Sequence, residues 1–180
     1  MHNAFRGIRM LRLLAFFGAL LVFASCAYHA AINKLPPEER AEFRAHSKVM
    51  TSRQIRTYLS KPTPDARAAY LEEIGSAQRF AALDLEDRES VLAGHIRVGM
   101  SSEALRFLWG EPYDIKGYVG RYENWFYNGS AYDLAKAPTV NEDFGTVVQV
   151  RLIDGRVKWW LETVPTEFDT DDGGDDSFRN

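Results

Sequence analysis

Cysteine is almost absent from this chain of 180 residues, in which Cys26 is the only thiol. A single cysteine excludes a disulfide within the chain, so a folded domain has to be stabilised by packing. Histidine is also scarce, and beyond the N-terminal residues only His46 and His95 remain. No zinc, nucleotide-binding or serine-hydrolase motif accompanies them. The sequence therefore predicts no catalytic residue, no metal site and no cofactor, and we expect a protein that is not an enzyme.

Clustered basic residues and long apolar runs are missing as well. Lys and Arg number 22 against 25 Asp and Glu, without the basic patch that phosphate binding requires, so nucleic acid is not an expected partner. The apolar run of residues 13–23 is about half of the ~20 residues that a helix needs to cross a bilayer. Because Arg6, Arg9 and Arg12 precede this run, we interpret residues 1–25 as a cleaved export signal.

The residues around Cys26 have the pattern of a lipid-attachment site. The sequence FAS stands just before the cysteine, and the stretch resembles a bacterial lipobox. The resemblance implies a lipoprotein signal peptide over residues 1–25 and a tether over residues 26–34. It also implies a covalent lipid on Cys26, with palmitate among its chains, and, because Ala27 follows the cysteine, the outer membrane. An ordinary secretory leader and an uncleaved anchor stay open as alternatives.

The C-terminal end, residues 165–180, contains six acidic residues around two glycines. Like charges at this density cannot be buried together, so the sequence predicts a disordered acidic tail. The leader contains three arginines and no acidic residue, so its removal changes the formal charge from -3 to -6. The mature protein is therefore expected to be acidic overall.

The region of residues 35–95 has the pattern of short helices. Caps and turn residues divide it into four predicted helices, over about residues 38–49, 52–59, 64–74 and 84–94. Thr63 and Asp84 are the expected caps of the last two, and Gly75 is expected to end the third. In the last helix, Leu85 is among the side chains expected to be buried. None of these helices is long, so we expect packing to stabilise them.

The second half of the chain predicts a helix followed by strands. Ser101 is the expected cap of a helix that ends at Gly110 and has an apolar stripe on one side. The aromatic segments YDIKGYVG and RYENWFY then favour strands. The insertion between residues 128 and 145 is longer than a hairpin needs, so we expect a surface loop there.

The segment TVVQVRLIDGRVKWWLET predicts a β-hairpin, because Asp154 and Gly155 suit a two-residue type I′ turn. This turn places three apolar pairs on one side of the hairpin: Leu152 with Val157, Val150 with Trp159, and Val148 with Leu161. Trp160 then lies on the opposite, more exposed side, and it is our candidate for a contact with a partner. Burial of Trp160 under a loop or under the helices is the open alternative.

These motifs together resemble the BamE-like family, also called SmpA/OmlA, over about residues 94–164. The residues that carry the resemblance are Gly99, Met100, Gly110, Pro112, Trp125, Tyr127, Asp154 and Gly155. The resemblance implies an α+β fold, with a domain over residues 96–164 in which helix packs on a small three-stranded antiparallel sheet. It also implies a small outer-membrane lipoprotein that assists the assembly of β-barrel proteins.

The residues and the resemblance lead to one expectation and leave two alternatives. We expect a noncatalytic bacterial envelope lipoprotein at the periplasmic face of the outer membrane, which binds another protein as an accessory of β-barrel assembly. Its partners are then the membrane, contacted through the lipid, and an envelope protein. The first alternative is a structural spacer that links the outer membrane to another envelope component through the helical region. The second alternative is an enzyme, and a cleft that gathers His95 with carboxylates would indicate it.

Overall fold

The computed structural model describes residues 28–118, 121–136 and 145–163, and it has an α+β fold. Its helices and strands are α1 (residues 28–33), α2 (Pro37–Ser47), α3 (Ser52–Ser60), α4 (Pro64–Glu73), α5 (Ser76–Ala81), α6 (Leu85–Ala93), α7 (Ser102–Trp109), β1 (Asp114–Tyr118), β2 (Tyr122–Asn128), α8 (Ala131–Lys136), β3 (Val147–Ile153) and β4 (Arg156–Thr163). Cys26, the leader of residues 1–25 and the acidic tail of residues 165–180 lie outside the described residues. The predictions made for them stay predictions.

The predicted helix ends are confirmed where a polar side chain caps the helix. The side-chain oxygens of Thr63, Asp84 and Ser101 each accept a hydrogen bond from the backbone N–H of the residue three positions later. The distances are 3.2 Å, 2.8 Å and 3.1 Å, respectively. Each bond satisfies one of the N–H groups that the first turn of a helix leaves unpaired. Gly75 and Gly94 follow helices α4 and α6 with φ of 74° and 77°, a left-handed conformation that suits glycine.

The four strands form one antiparallel sheet in the order β1-β2-β3-β4, so each strand pairs with its neighbours in the chain. The sheet therefore has one strand more than the resemblance implied. In the pairing of β1 with β2, Ile115 lies opposite Trp125. At Gly117, φ is 118° and a Cβ atom would lie 2.4 Å from the carbonyl oxygen of Tyr122, so glycine is required at this position.

The inner face of the sheet packs against α7 and against helices of the N-terminal region. Its buried side chains are Trp125, Tyr127, Val148, Val150, Leu152 and Val157. Trp109 of α7 is fully buried, and its ring centroid lies 5.3 Å from that of Tyr127. Ala45 of α2 and Val91 of α6 belong to the same buried cluster. The helical region and the sheet thus share one hydrophobic core, and burial of its apolar surface is the main contribution to stability.

A second, smaller cluster holds the N-terminal helices together. It contains Leu35, Phe43, Met50, Ile55, Tyr58, Tyr70 and Leu71, and side chains of helix α1 pack against it. Beside it, Nη2 of Arg67 donates a hydrogen bond to Oε2 of Glu39 at 2.9 Å, in a largely buried ion pair. This hydrogen bond lowers the pKa of the Glu39 carboxyl. The tether predicted over residues 26–34 therefore includes a packed helix.

The insertion between β2 and β3 contains helix α8, so the prediction of a plain surface loop was wrong. Leu134 and Ala135 of this helix are 1 % and 7 % exposed, and both belong to the main core. Lys48 donates a hydrogen bond from Nζ to the carbonyl oxygen of Leu134 at 2.5 Å. Burial lowers the pKa of Lys48 to about 8. A helix of six residues is too short to show a periodic pattern in the sequence.

Two buried polar groups join the helical region to helix α7 and to the segment that precedes it, and His46 of α2 is the first. It is 4 % exposed, and its Nδ1 lies 2.7 Å from Oγ of Ser76. Its ring contacts Phe80 and Phe107, with centroid distances of 5.2 Å and 5.7 Å. Burial lowers the pKa of His46 to about 4, so the ring is neutral at pH 7. His46 is therefore a structural residue of this junction.

Asp87 of α6 is the second polar group of the junction. It is 1 % exposed and accepts hydrogen bonds from Nη2 of Arg97 at 2.5 Å and from the backbone N–H of Ser101 at 3.0 Å. Helix α6 directs Asp87 and Val91, four residues apart, towards the core. Leu85 is 62 % exposed, so the prediction that it is buried was wrong. A charged carboxylate can be buried only with such partners, and the sequence does not show that Arg97 reaches it.

Candidate functional site

A β-bulge in the terminal hairpin decides which side chains face solvent. The predicted turn is confirmed, since Asp154 and Gly155 have φ of 51° and 71°. Leu152 pairs with Val157 beside the turn, as predicted. The register then shifts just before Leu152, and the apolar pairs predicted further from the turn do not form. One additional residue in a strand turns every later side chain to the other face, and the turn sequence gives no sign of it.

The bulge exchanges the positions of the two tryptophans of β4. Trp160 pairs with Val150 on the inner face, where it is partly buried and packs against the main core. Trp159 and Leu161 lie on the opposite face and are 42 % and 54 % exposed. The prediction that Trp160 lies on the exposed side was therefore wrong. A contact between Trp160 and a partner stays a prediction.

The outer face of the sheet carries exposed apolar side chains. We define it by Tyr118, Tyr122, Phe126, Arg151, Ile153, Trp159 and Leu161. In β2 and β3 these residues alternate with buried ones, and in β4 Trp159 and Leu161 flank the partly buried Trp160. Tyr118 is 68 % exposed, and its ring centroid lies 5.2 Å from that of Tyr122. These side chains are open to solvent because the helices pack on the inner face. Exposed apolar groups that lie side by side mark sites of interaction more often than single ones do.

Cations accompany the aromatic rings on the outer face. The guanidinium of Arg151 lies 5.6 Å from the ring centroid of Tyr122, and Arg151 pairs with Trp159 across the hairpin. The ammonium of Lys116 lies 5.2 Å from the ring centroid of Phe126. Both arrangements are cation–π contacts. Tyr, Trp and Arg are enriched where protein surfaces meet, so this face has the composition of a protein-binding surface.

The residues that carry the family resemblance lie in turns and in the core. The backbone N–H of Gly99 donates a hydrogen bond to the carbonyl oxygen of Val157 at 2.7 Å. The backbone N–H of Val157 donates one to the carbonyl oxygen of Met100 at 2.8 Å. In β2, the indole Nε1 of Trp125 donates to Oε2 of Glu123 at 2.7 Å. Met100, Gly110, Trp125 and Tyr127 are buried, whereas Asp154 at the hairpin turn is exposed. Most of the motif residues therefore build the fold.

A cavity of about 620 Å³ lies on the inner side, where helices α2, α7 and α8 meet strand β4. Three aromatic, two basic and one acidic side chain line it, namely Trp109, Tyr132, Trp160, Arg44, Lys136 and Glu162. Ligand sites in proteins commonly have volumes of roughly 300–1,000 Å³ and a few polar groups among apolar walls. Trp160 therefore lies at a second surface with the dimensions of a binding site.

The cavity also brings together His95 and one carboxylate, that of Glu162. Oε1 of Glu162 accepts a hydrogen bond from the backbone N–H of Ala131 at 3.1 Å. Serine, threonine and cysteine are absent from the described residues that line the cavity. In the described part of the chain, no three His, Cys, Asp or Glu side chains gather in a group that could hold a metal ion. The lining supplies aromatic and charged side chains that can contact a ligand.

Comparisons with known proteins do not extend these observations. No protein-family model matches the chain, and searches of curated proteins and of solved structures find no match either. None of the helices within the described residues is long and apolar enough to cross a membrane. The family resemblance therefore rests on the sequence motifs alone.

Proposed function

We propose that this protein is a noncatalytic bacterial envelope lipoprotein that binds another protein through the outer face of its sheet. A lipid on Cys26 holds it at the periplasmic face of the outer membrane. The observation that carries the proposal is the open face around Trp159 and Leu161, on which exposed apolar side chains lie beside a guanidinium. Hydrophobic anchors with an adjacent arginine are the side chains that contribute most to protein interfaces.

The position of the first described helix supports an anchor close to the folded body. Helix α1 is described from residue 28, two positions after Cys26 in the sequence, and its side chains pack on the second hydrophobic cluster. Each buried methylene of an acyl chain contributes about 0.8 kcal/mol to membrane binding, so several chains on one sulfur hold a protein firmly. The folded body then lies near the membrane surface, within reach of other proteins there.

The packing of the helical region favours a binding protein over a spacer. The longest of the described helices, α2, has 11 residues and is about 16 Å long. Helices α2 and α6 contribute Ala45 and Val91 to the core of the sheet domain. A stalk would instead extend away from the domain that it carries. Assistance in the assembly of outer-membrane β-barrels is the most specific form of the proposed function, and the family resemblance supports it.

Crosslinking of the protein in the membranes of its own host tests the proposal. Recovery of the barrel-assembly machine by mass spectrometry would support the accessory role. Recovery of cell-wall components would favour the spacer. The Cys26→Ser variant is the matched control, since it keeps the outer face but loses the anchor, and it should not capture the partner at the membrane. Capture of nothing by the lipidated protein would contradict the proposal.

A further inference from the structure

The cavity contains a buried donor without a partner. Trp109 lines the cavity and is fully buried, and its indole Nε1 has no hydrogen-bond acceptor among the described residues. Trp125, the other fully buried tryptophan of the core, donates its Nε1 to Glu123. Buried N–H groups are nearly always paired, and an exception requires an explanation. Because Trp109 lines the cavity, its indole signal should respond to a ligand bound there.

Positive charge exceeds negative charge in the lining of the cavity. Nη2 of Arg44 donates to the carbonyl oxygen of Leu92 at 3.3 Å, and the ammonium of Lys136 lies 3.9 Å from the ring centroid of Tyr132. Neither cation forms an ion pair with a carboxylate of the described residues. Glu162, the acidic residue of the lining, already accepts a backbone hydrogen bond. The charges of the lining therefore favour an anion.

The apolar part of the lining is mainly aromatic. Trp109 is buried beneath the cavity, Trp160 is half-buried, and Tyr132 is 65 % exposed. Aromatic walls can also surround a cation, but Arg44 and Lys136 would repel one in this cavity. Flat rings pack well against such walls, in stacked or edge-to-face contacts.

We propose that the cavity binds a small carboxylate with an aromatic body. The carboxylate lies towards Arg44 and Lys136, and the ring packs against Trp160 and Tyr132. This site is on the inner side of the sheet and is separate from the outer face. The proposal therefore depends neither on the lipid anchor nor on the protein partner, and each can fail without the other.

The four tryptophans of the chain allow a direct test by NMR of their indole N–H groups. The purified full chain is titrated with phenylbutyrate, in buffer without anionic detergent, and single Trp→Phe variants assign the four signals. The signals of Trp109 and Trp160 should shift, whereas those of Trp125 and Trp159 should not. Phenylbutylamine, which has the same ring with a cationic head, should bind at least tenfold more weakly.

Two variants test the cationic side of the cavity. Lys136→Gln and Arg44→Gln should each weaken phenylbutyrate binding about tenfold, as expected for loss of one charge-assisted hydrogen bond. Lys116→Gln on the outer face is the control and should leave the affinity unchanged, and an unshifted Trp125 signal verifies the fold. An unmoved Trp109 signal, a shift at Trp159 instead, or equal binding of phenylbutylamine would overturn the proposal.

Discussion

The buried histidine that packs between α5 and α7 predicts a defined loss of stability in acid. Burial lowers the pKa of His46 from 6.5 to about 4. Between these two values the unfolded chain binds a proton at this residue and the folded chain does not. The free energy of unfolding therefore falls as the pH falls through this window.

The magnitude of this loss follows from the two pKa values. Each pH unit between them contributes about 1.4 kcal/mol, so the complete loss at His46 is about 3 kcal/mol. About 2 kcal/mol of it falls between pH 6.5 and 4.5. Glu39, with a pKa below the ordinary 4.5, loses its stabilising charge at lower pH, and Lys48, with a pKa of about 8, titrates above the window. Both groups are also present in a variant of His46, so the difference between that variant and the wild type isolates His46.

Urea unfolding at pH 7 and at pH 4.5, followed by tryptophan fluorescence, measures the effect. Glutamine at position 46 can still form a hydrogen bond with Ser76 but does not titrate. Between pH 7 and pH 4.5, the free energy of unfolding should therefore fall by about 2 kcal/mol less in His46→Gln than in the wild type. His95→Gln, which replaces a histidine at an exposed position, is the matched control substitution. Equal losses in the wild type and in His46→Gln would refute the reasoning.

Four further changes have expected outcomes. Asp87→Ala leaves its arginine partner without this acceptor and should cost about 3 kcal/mol in urea unfolding, against about 0.5 kcal/mol or less for Glu86→Ala at an exposed position. Gly117→Ala brings a Cβ atom against the backbone of β2 and should cost about 1–3 kcal/mol. Trp159→Ala should reduce capture of the partner severalfold with little change in melting temperature. Cys26→Ser should move the protein from the membrane fraction to the soluble fraction. Unchanged stability of the Asp87 or Gly117 variant would contradict the prediction for that variant. Unchanged capture by the Trp159 variant, or unchanged fractionation of the Cys26 variant, would do the same.

Local signals in the sequence predicted most helix ends correctly. Thr63, Asp84 and Ser101 can each cap a helix through a bond to a backbone group three residues away, so their role depends on nearby sequence only. The turn at Asp154 and Gly155 is local in the same sense. Such features need no knowledge of the tertiary structure.

Features that depend on distant contacts were not predictable in this way. The bulge before Leu152 reverses the faces of Trp159 and Trp160, and nothing in the hairpin sequence marks it. His46 and Asp87 are buried because their partners arrive from other segments of the chain. The outer face and the cavity both follow from these contacts, so the candidate sites required the three-dimensional structure.

Residue-specific photocrosslinking in native membranes tests the binding role of the outer face most directly. A photoreactive amino acid is placed at Trp159 or Leu161 on the outer face and, as a control, at Leu85, an apolar residue of α6 that is 62 % exposed. We expect one envelope protein to be captured from both outer-face positions and not from Leu85. Capture from Leu85 alone, with none from the outer face, would contradict it.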